Sequence, residues 1–237
     1  MKIIVDSEKN IAVRAAQRYV ELLKEKPDAI LGGATGSTPL GLYAELARLC
    51  KAGEISFAKA RTFNLDEYVG LDGSHDQSYR YFMNENLFKH IDIDIQNTRV
   101  PDGIDTSAAA AYDEEIEKAG GIDLQLLGIG VDGHIGFNEP GTPWDSRTHV
   151  VELHPSTREV NARFFSSIDE VPTHAVTMGI KTVMNARSII LMAIGKNKAE
   201  IIRDMIKGPV TTDVPASILQ LHPFVEVYLD EAAAALL

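Results

Sequence analysis

Three acid–base side chains fall within eight residues of one glycine-rich stretch: Asp132, His134 and Glu139, inside 128–141. A histidine between two carboxylates can be oriented by one of them and carry protons near neutral pH. A second acidic pair, Asp66 and Glu67, follows the apolar run 61–65. An acid at the end of a strand can serve as a general base. The third polar stretch is Thr35, Gly36, Ser37, Thr38 and Pro39, just before a helical pattern. Glycine lets backbone approach a ligand, proline suits a first helical turn, and a helix start offers free N–H groups to an anion. Arg163 and Lys198 are two later cations. Lys198 begins a helix, where positive charge opposes the dipole, so a functional reason is worth considering there.

Each feature also has an ordinary structural reading. Residues 35–39 can be a capped turn, 66–67 a solvated acidic turn, and Arg163 and Lys198 plain surface charge. His134 can be satisfied by local carbonyls. The formal G-x-G-x-x-G at Gly128, Gly130 and Gly133 is a weak dinucleotide signal, because Pro140 and Pro143 oppose the helix it needs. No lysine follows Gly36 as a P-loop requires. A metal reading is weak too: H-E-x-x-H is missing and the remaining histidines are scattered.

The elements that must position these residues alternate along the chain. Apolar runs near 3–5, 29–31, 61–65, 122–129, 175–178, 188–194 and 225–229 predict strands. Amphipathic stretches from about 8, 40–49, 78–88, 107–119 and 196–206 predict helices. This order predicts an α/β fold with a mostly parallel, Rossmann-like open sheet and helices on both faces. In such sheets the ligand sits at the carboxyl ends of the strands, where all three polar stretches fall. Residues 136–172 have weak periodicity and many turn formers, and read as a lid within a single domain spanning 1–237.

The 237 residues carry 23 Lys plus Arg against 34 Asp plus Glu, a net charge of −11. That balance opposes non-specific binding to nucleic acid or an anionic membrane. Cys50 is the single cysteine, so neither an internal disulfide nor a thiolate metal cage can form. Asp6 comes too early for a signal peptide, and no apolar run reaches the ~20 residues of a membrane span. The expectation is a soluble, cytoplasmic protein.

The ordered set 35–39, 63–68, 130–140, 146–148, 161–165 and 219–222 resembles the glucosamine-6-phosphate deaminase family across essentially the whole chain. The resemblance implies conversion of glucosamine 6-phosphate and water to fructose 6-phosphate and ammonia, a step of amino-sugar catabolism. It implies no metal and no organic cofactor. Residue by residue, Asp66 matches the base that moves a proton between C2 and C1. His134 matches the group that opens the pyranose ring, with Asp132 and Glu139 as its partners. Gly36, Ser37 and Thr38, with Arg163 and Lys198, match the phosphate cradle. Gly33 stands where many members carry a larger apolar residue, an expected loosening of the turn. His149 and Val151 stand where allosterically activated hexameric members carry basic residues, and the chain stops soon after its last strand. The expectation is a short, unregulated monomer whose partner is a sugar phosphate. The alternatives are a 6-phosphogluconolactonase, which has no C2 proton to move, and a sugar-phosphate-sensing domain of a transcription regulator, against which the lack of a preceding helix-turn-helix counts.

Overall fold

A computed structural model describes the backbone of residues 1–237 and all side chains but those of Ser156, Val160 and Phe164. Phe164, within the 161–165 motif, therefore lies outside the described side chains. In chain order the elements are Lys2–Val5 (β1), Glu8–Glu25 (α1), Ile30–Gly33 (β2), Leu40–Lys51 (α2), Arg61–Asn64 (β3), Asp66–Tyr68 (β4), Tyr79–Asn86 (α3), Thr98–Arg99 (β5), Ala109–Ala119 (α4), Leu124–Leu127 (β6), His149–Glu152 (β7), Pro155–Asn161 (α5), His174–Thr177 (β8), Ile180–Met184 (α6), Ile189–Ala193 (β9), Ala199–Lys207 (α7) and Val225–Leu229 (β10).

The helices form where periodicity and capping agree. In α1 the Ser7 hydroxyl accepts from the Asn10 N–H, Glu8 and Lys24 complement the dipole, and Ile11, Ala15, Tyr19 and Leu23 are buried. Ser78 caps α3 in the same way, accepting from Tyr81. Seven strands build one sheet in the order β1-β10-β9-β6-β2-β3-β5, and every pairing in it is parallel. All residues of β6 and β9 are buried, which requires cover on both faces. The expected parallel α/β sheet is present.

The chain leaves β2 toward β3 and β5, then returns to β6 and proceeds the other way to β9 and β10. The strand order therefore reverses between β2 and β6. Their carboxyl ends lead into 34–39 and 128–141, which puts a crevice at the reversal.

A second sheet was not expected. β4, β8 and β7 form a three-stranded antiparallel sheet in the order β4-β8-β7. The strand predicted over 61–65 ends at Asn64, and a second begins at Asp66; between them the Leu65 N–H donates to Gly33 O while its carbonyl accepts from Met178 N. One residue thus joins both sheets and turns Asp66 out of the main one. The stretch expected to be an irregular lid supplies β7 and α5.

Candidate active site

His134 lies in the loop that leaves β6. Gly130 N–H donates to His134 O at 2.9 Å, closing the turn. A side chain at Gly130 would sit 2.3 Å from the imidazole, so only glycine leaves the ring its place. No helix follows this turn, which removes the dinucleotide reading. Nδ1 of His134 is 2.7 Å from Asp132 Oδ1 and 3.5 Å from Glu139 Oε2. Neither approach is aligned as a hydrogen bond: Nδ1 and Glu139 Oε2 are buried without an aligned partner among the described residues. Burial works against a charged His134, but Asp132 and Glu139 outweigh it and push the imidazole up to about 9. Asp132 is correspondingly held well below the usual carboxylate range, mainly by His134 and Glu139 acting against its burial. The ligand atoms of the three groups lie within 4.8 Å of one another, close enough to share a proton or to sit around a cation.

Asp66 is 6% exposed and has no hydrogen bond among the described residues. Burial, then the Glu67 charge, push it up to about 8, with His134 pulling the other way. A carboxyl so placed holds a proton at neutral pH and can give it up without an ion partner rearranging. The solvated acidic turn considered for 66–67 is not what forms. Glu67 is also buried, and its carboxylate accepts from Tyr68, Tyr79 and Arg80 N–H groups.

Gly136 joins Asp66 to the histidine loop. Its φ is +60°, and a Cβ there would lie 2.8 Å from Thr177 Oγ1 and 3.7 Å from Asp66 Oδ2. Thr177 pairs with Asp66 across β4 and β8, and its hydroxyl accepts from Phe137 N–H. Asn138 donates to Ile135 O and Met178 O, anchoring the same loop to the end of β8. Asp66 and His134 therefore lie close together in the fold, although they are 68 positions apart in the chain.

Gly36 and Ser37 are exposed after β2, and Gly36 has φ +96° with open space where a Cβ would be. α2 starts without a side-chain cap, and its first N–H, that of Leu40, donates to Ser37 O at 3.3 Å. Gly33 does not loosen this turn. A Cβ there would approach Asn64 Oδ1 to 2.8 Å, so glycine permits close packing against β3. Lys198 follows β9 and donates from Nζ to Ile129 O at 2.7 Å. No hydrogen bond ties it to Gly36, Ser37 or Thr38 among the described residues. β6 separates β2 from β9, so Lys198 and 35–38 flank the histidine loop at the carboxyl ends of the central strands. Burial pulls its ammonium down, opposed by Asp132. Arg163 is exposed in the turn after α5.

Sequence reasoning missed Thr157. From α5 its hydroxyl donates to Glu139 Oε1 at 2.8 Å. Nearby, Asn161 donates to the Tyr68 hydroxyl at 2.8 Å, and Phe165 packs edge-on to the Tyr68 ring. Nothing in a threonine within a weakly periodic stretch signals such a contact.

The family model for glucosamine-6-phosphate isomerases and 6-phosphogluconolactonase matches residues 6–227. The glucosamine-6-phosphate deaminase of Thermoanaerobacter pseudethanolicus is 51% identical over 241 residues, covering 100% of this chain and 95% of that one. That of Clostridium perfringens is 53% identical over 226 residues, covering 94% and 93%. The solved structure of a monomeric glucosamine-6-phosphate deaminase superposes with a TM-score of 0.97 at 45% identity, covering 100% of both chains. A 6-phosphogluconolactonase from Trypanosoma cruzi has a TM-score of 0.78 at 22% identity, a likeness of fold alone. With a parallel sheet that reverses at β2 and β6, and a match running through nearly every element of it, this chain belongs to the glucosamine-6-phosphate isomerase/6-phosphogluconolactonase family.

Proposed function

We propose that this chain deaminates glucosamine 6-phosphate to fructose 6-phosphate and ammonia, as its whole-length relatives are named to do. One observation carries this choice over lactone hydrolysis: a buried carboxyl without a partner, Asp66, shares its space with the Asp132–His134–Glu139 set. A lactonase has no carbon-bound proton for such a base. His134, held as imidazolium by Asp132 and Glu139, gives a proton to the ring oxygen and then takes one from the C1 hydroxyl. Asp66, in its ionised form, then takes the C2 proton and delivers it to C1, while the C1 oxygen gains a proton and the nitrogen loses one, leaving an imine at C2. Water adds to that carbon and ammonia departs, a net hydrolysis. Apart from the addition of water to C2 and the loss of ammonia from it, each step is a proton transfer of the kind these side chains perform.

Gly36, Ser37, Thr38 and the start of α2 hold the phosphate, with Lys198 and Arg163 supplying charge. Lys198→Met is expected to raise KM about tenfold or more and to leave kcat within a few-fold, because it removes binding common to ground and transition states. Steady-state kinetics check it, and an unchanged KM removes Lys198 from the cradle.

The 136–172 stretch acts as a lid within one domain, with α5 its business end through Thr157 on Glu139 and Asn161 on Tyr68. Thr157→Val, which removes only the hydroxyl, is expected to lower kcat by roughly threefold to tenfold, the worth of about one hydrogen bond. A larger effect on KM than on kcat would place Thr157 in binding instead.

No helix is long and apolar enough to cross a membrane. A cytoplasmic monomer fits the reading, and the solved relative is itself monomeric. The test is ammonia release from glucosamine 6-phosphate by chelator-treated protein, with fructose 6-phosphate followed alongside. Equal yields of both support deamination without a metal. Sugar-phosphate binding without ammonia supports the sensor, and hydrolysis of 6-phosphogluconolactone supports the lactonase.

A further inference from the structure

Glu67 sits beside the reacting carboxyl yet points to the opposite side of β4, as neighbours on a strand must. It is 3% exposed. Its Oε1 accepts from Tyr68 N at 2.9 Å and Tyr79 N at 2.8 Å, and its Oε2 accepts from Arg80 N at 2.9 Å. The Ser78 hydroxyl takes the next free donor, Tyr81 N. The carboxylate thus binds the positive end of α3 and fastens that helix to the strand that carries Asp66.

A simple cap could do as much without affecting chemistry. What distinguishes Glu67 is that no cation neutralises it among the described residues. Arg80, the cation nearest in the chain, turns its guanidinium to Thr98, donating to its Oγ1 at 2.6 Å, and lies over the Phe88 ring. The buried carboxylate next to Asp66 is therefore compensated mainly by backbone N–H groups, with Arg80 the smallest contribution. In a site of low polarity such a field reaches the neighbouring carboxyl with little screening.

We infer that Glu67 is a positioning residue for Asp66, which fixes β4 against α3 and sets the electric field in which Asp66 exchanges its proton. The inference rests on Asp66 being the base. The other groups facing Asp66 are Tyr43 from α2, Tyr79 from α3, Tyr112 from α4, Tyr68 from β4 and His134 from the loop after β6. Burial raises all four tyrosines above their ordinary value, so they stay neutral at working pH. Tyr68, Tyr79 and Arg80 are the groups facing Glu67 besides Asp66. His134 is then the cation that opposes Glu67 at Asp66. Burial and Glu67 win, and Asp66 stands at about 8, while burial raises Glu67 itself to about 6.

Two variants separate field from fastening. Glu67→Gln keeps the shape and removes the charge. Glu67→Asp keeps the charge and shortens the reach to α3. The acidic limb of the pH profile of kcat/KM is expected to move toward lower pH by about one unit in Glu67→Gln. In Glu67→Asp it should stay in place while the melting temperature falls. Substrate ionisations cancel, because all three proteins see the same substrate. An unmoved limb in Glu67→Gln, or equal movement in both variants, overturns the inference. Should Glu67→Gln not fold, carboxyl-carbon NMR of the wild-type protein decides. Asp66 must lose its proton above the ordinary carboxylate range and show a second inflection where Glu67 titrates; a single ordinary step overturns the inference. This titration needs no turnover. It therefore judges the field even if Asp66→Asn proves active and the assignment of the base falls.

Discussion

Asp66→Asn should lose deamination by roughly a thousandfold, the upper range for removing a general base, while the folded protein becomes more stable. The amide keeps the volume and takes away the proton acceptor. Ammonia release and exchange of the C2 proton with solvent should fail together, because one group serves both. Binding of fructose 6-phosphate should survive, since the phosphate loop is on β2 and α2 rather than on β4. The gain in stability has a defined sign. Folding raises Asp66 to about 8, so the folded state binds its proton more tightly than the unfolded chain does. That preference costs nothing at pH below the ordinary carboxylate value, where both states are protonated. The cost grows as pH rises toward 8 and the buried group must ionise. Asparagine never ionises, so the advantage of the variant should be about 1–2 kcal/mol at pH 5 and reach about 5 kcal/mol at pH 8. Urea midpoints at the two pH values measure it. Near-normal turnover would place the base elsewhere, and a variant less stable than wild type at pH 8 would mean that Asp66 is not buried as a charge.

The parts of this fold that were legible in the sequence are those set by local order. The helix of Glu8–Glu25 announces itself through Ser7, Glu8 and its apolar stripe, and the core strands through uninterrupted apolar runs such as Ile189–Ala193. The start of a new strand straight after Leu65 was not legible. No glycine or proline marks it, and its cause is two hydrogen bonds to Gly33 and Met178, both distant in sequence. With that start hidden, the second sheet was hidden too, since β4 has three residues and β7 only four with alternating partial exposure. For the site, residue type found Asp132, His134 and Glu139 because glycine-rich spacing crowds them locally. It found Asp66 and Glu67 only as an undivided pair. Burial with three N–H donors on one and none on the other separates their roles, and that depends on where α3 docks. Thr157 and Thr177 were invisible for the same reason: their partners, Glu139 and the Phe137 N–H, come from other elements.

His134→Gln should slow turnover of cyclic glucosamine 6-phosphate by roughly a hundredfold to a thousandfold and spare the steps that follow ring opening. Glutamine can still sit between Asp132 and Glu139, but it neither accepts nor returns a proton at neutral pH. The imidazole is suited to the step because it is held against two carboxylates, 2.7 and 3.5 Å away, neither of them well aligned. Pairing holds the imidazolium that gives a proton to the ring oxygen, and loose alignment leaves the ring free to take one back from the C1 hydroxyl. Asp66 stands apart from this exchange, on β4 beyond Gly136. An amino sugar phosphate blocked at its C5 oxygen cannot close the pyranose ring, so it bypasses the step assigned to His134. The ratio of variant to wild-type kcat/KM should therefore recover by about tenfold or more on the blocked substrate. Asp66→Asn should show no such recovery, because the C2 proton must still move. Equal losses of His134→Gln on both substrates would assign the imidazole to the carbon-bound proton instead, and would leave ring opening to a different group.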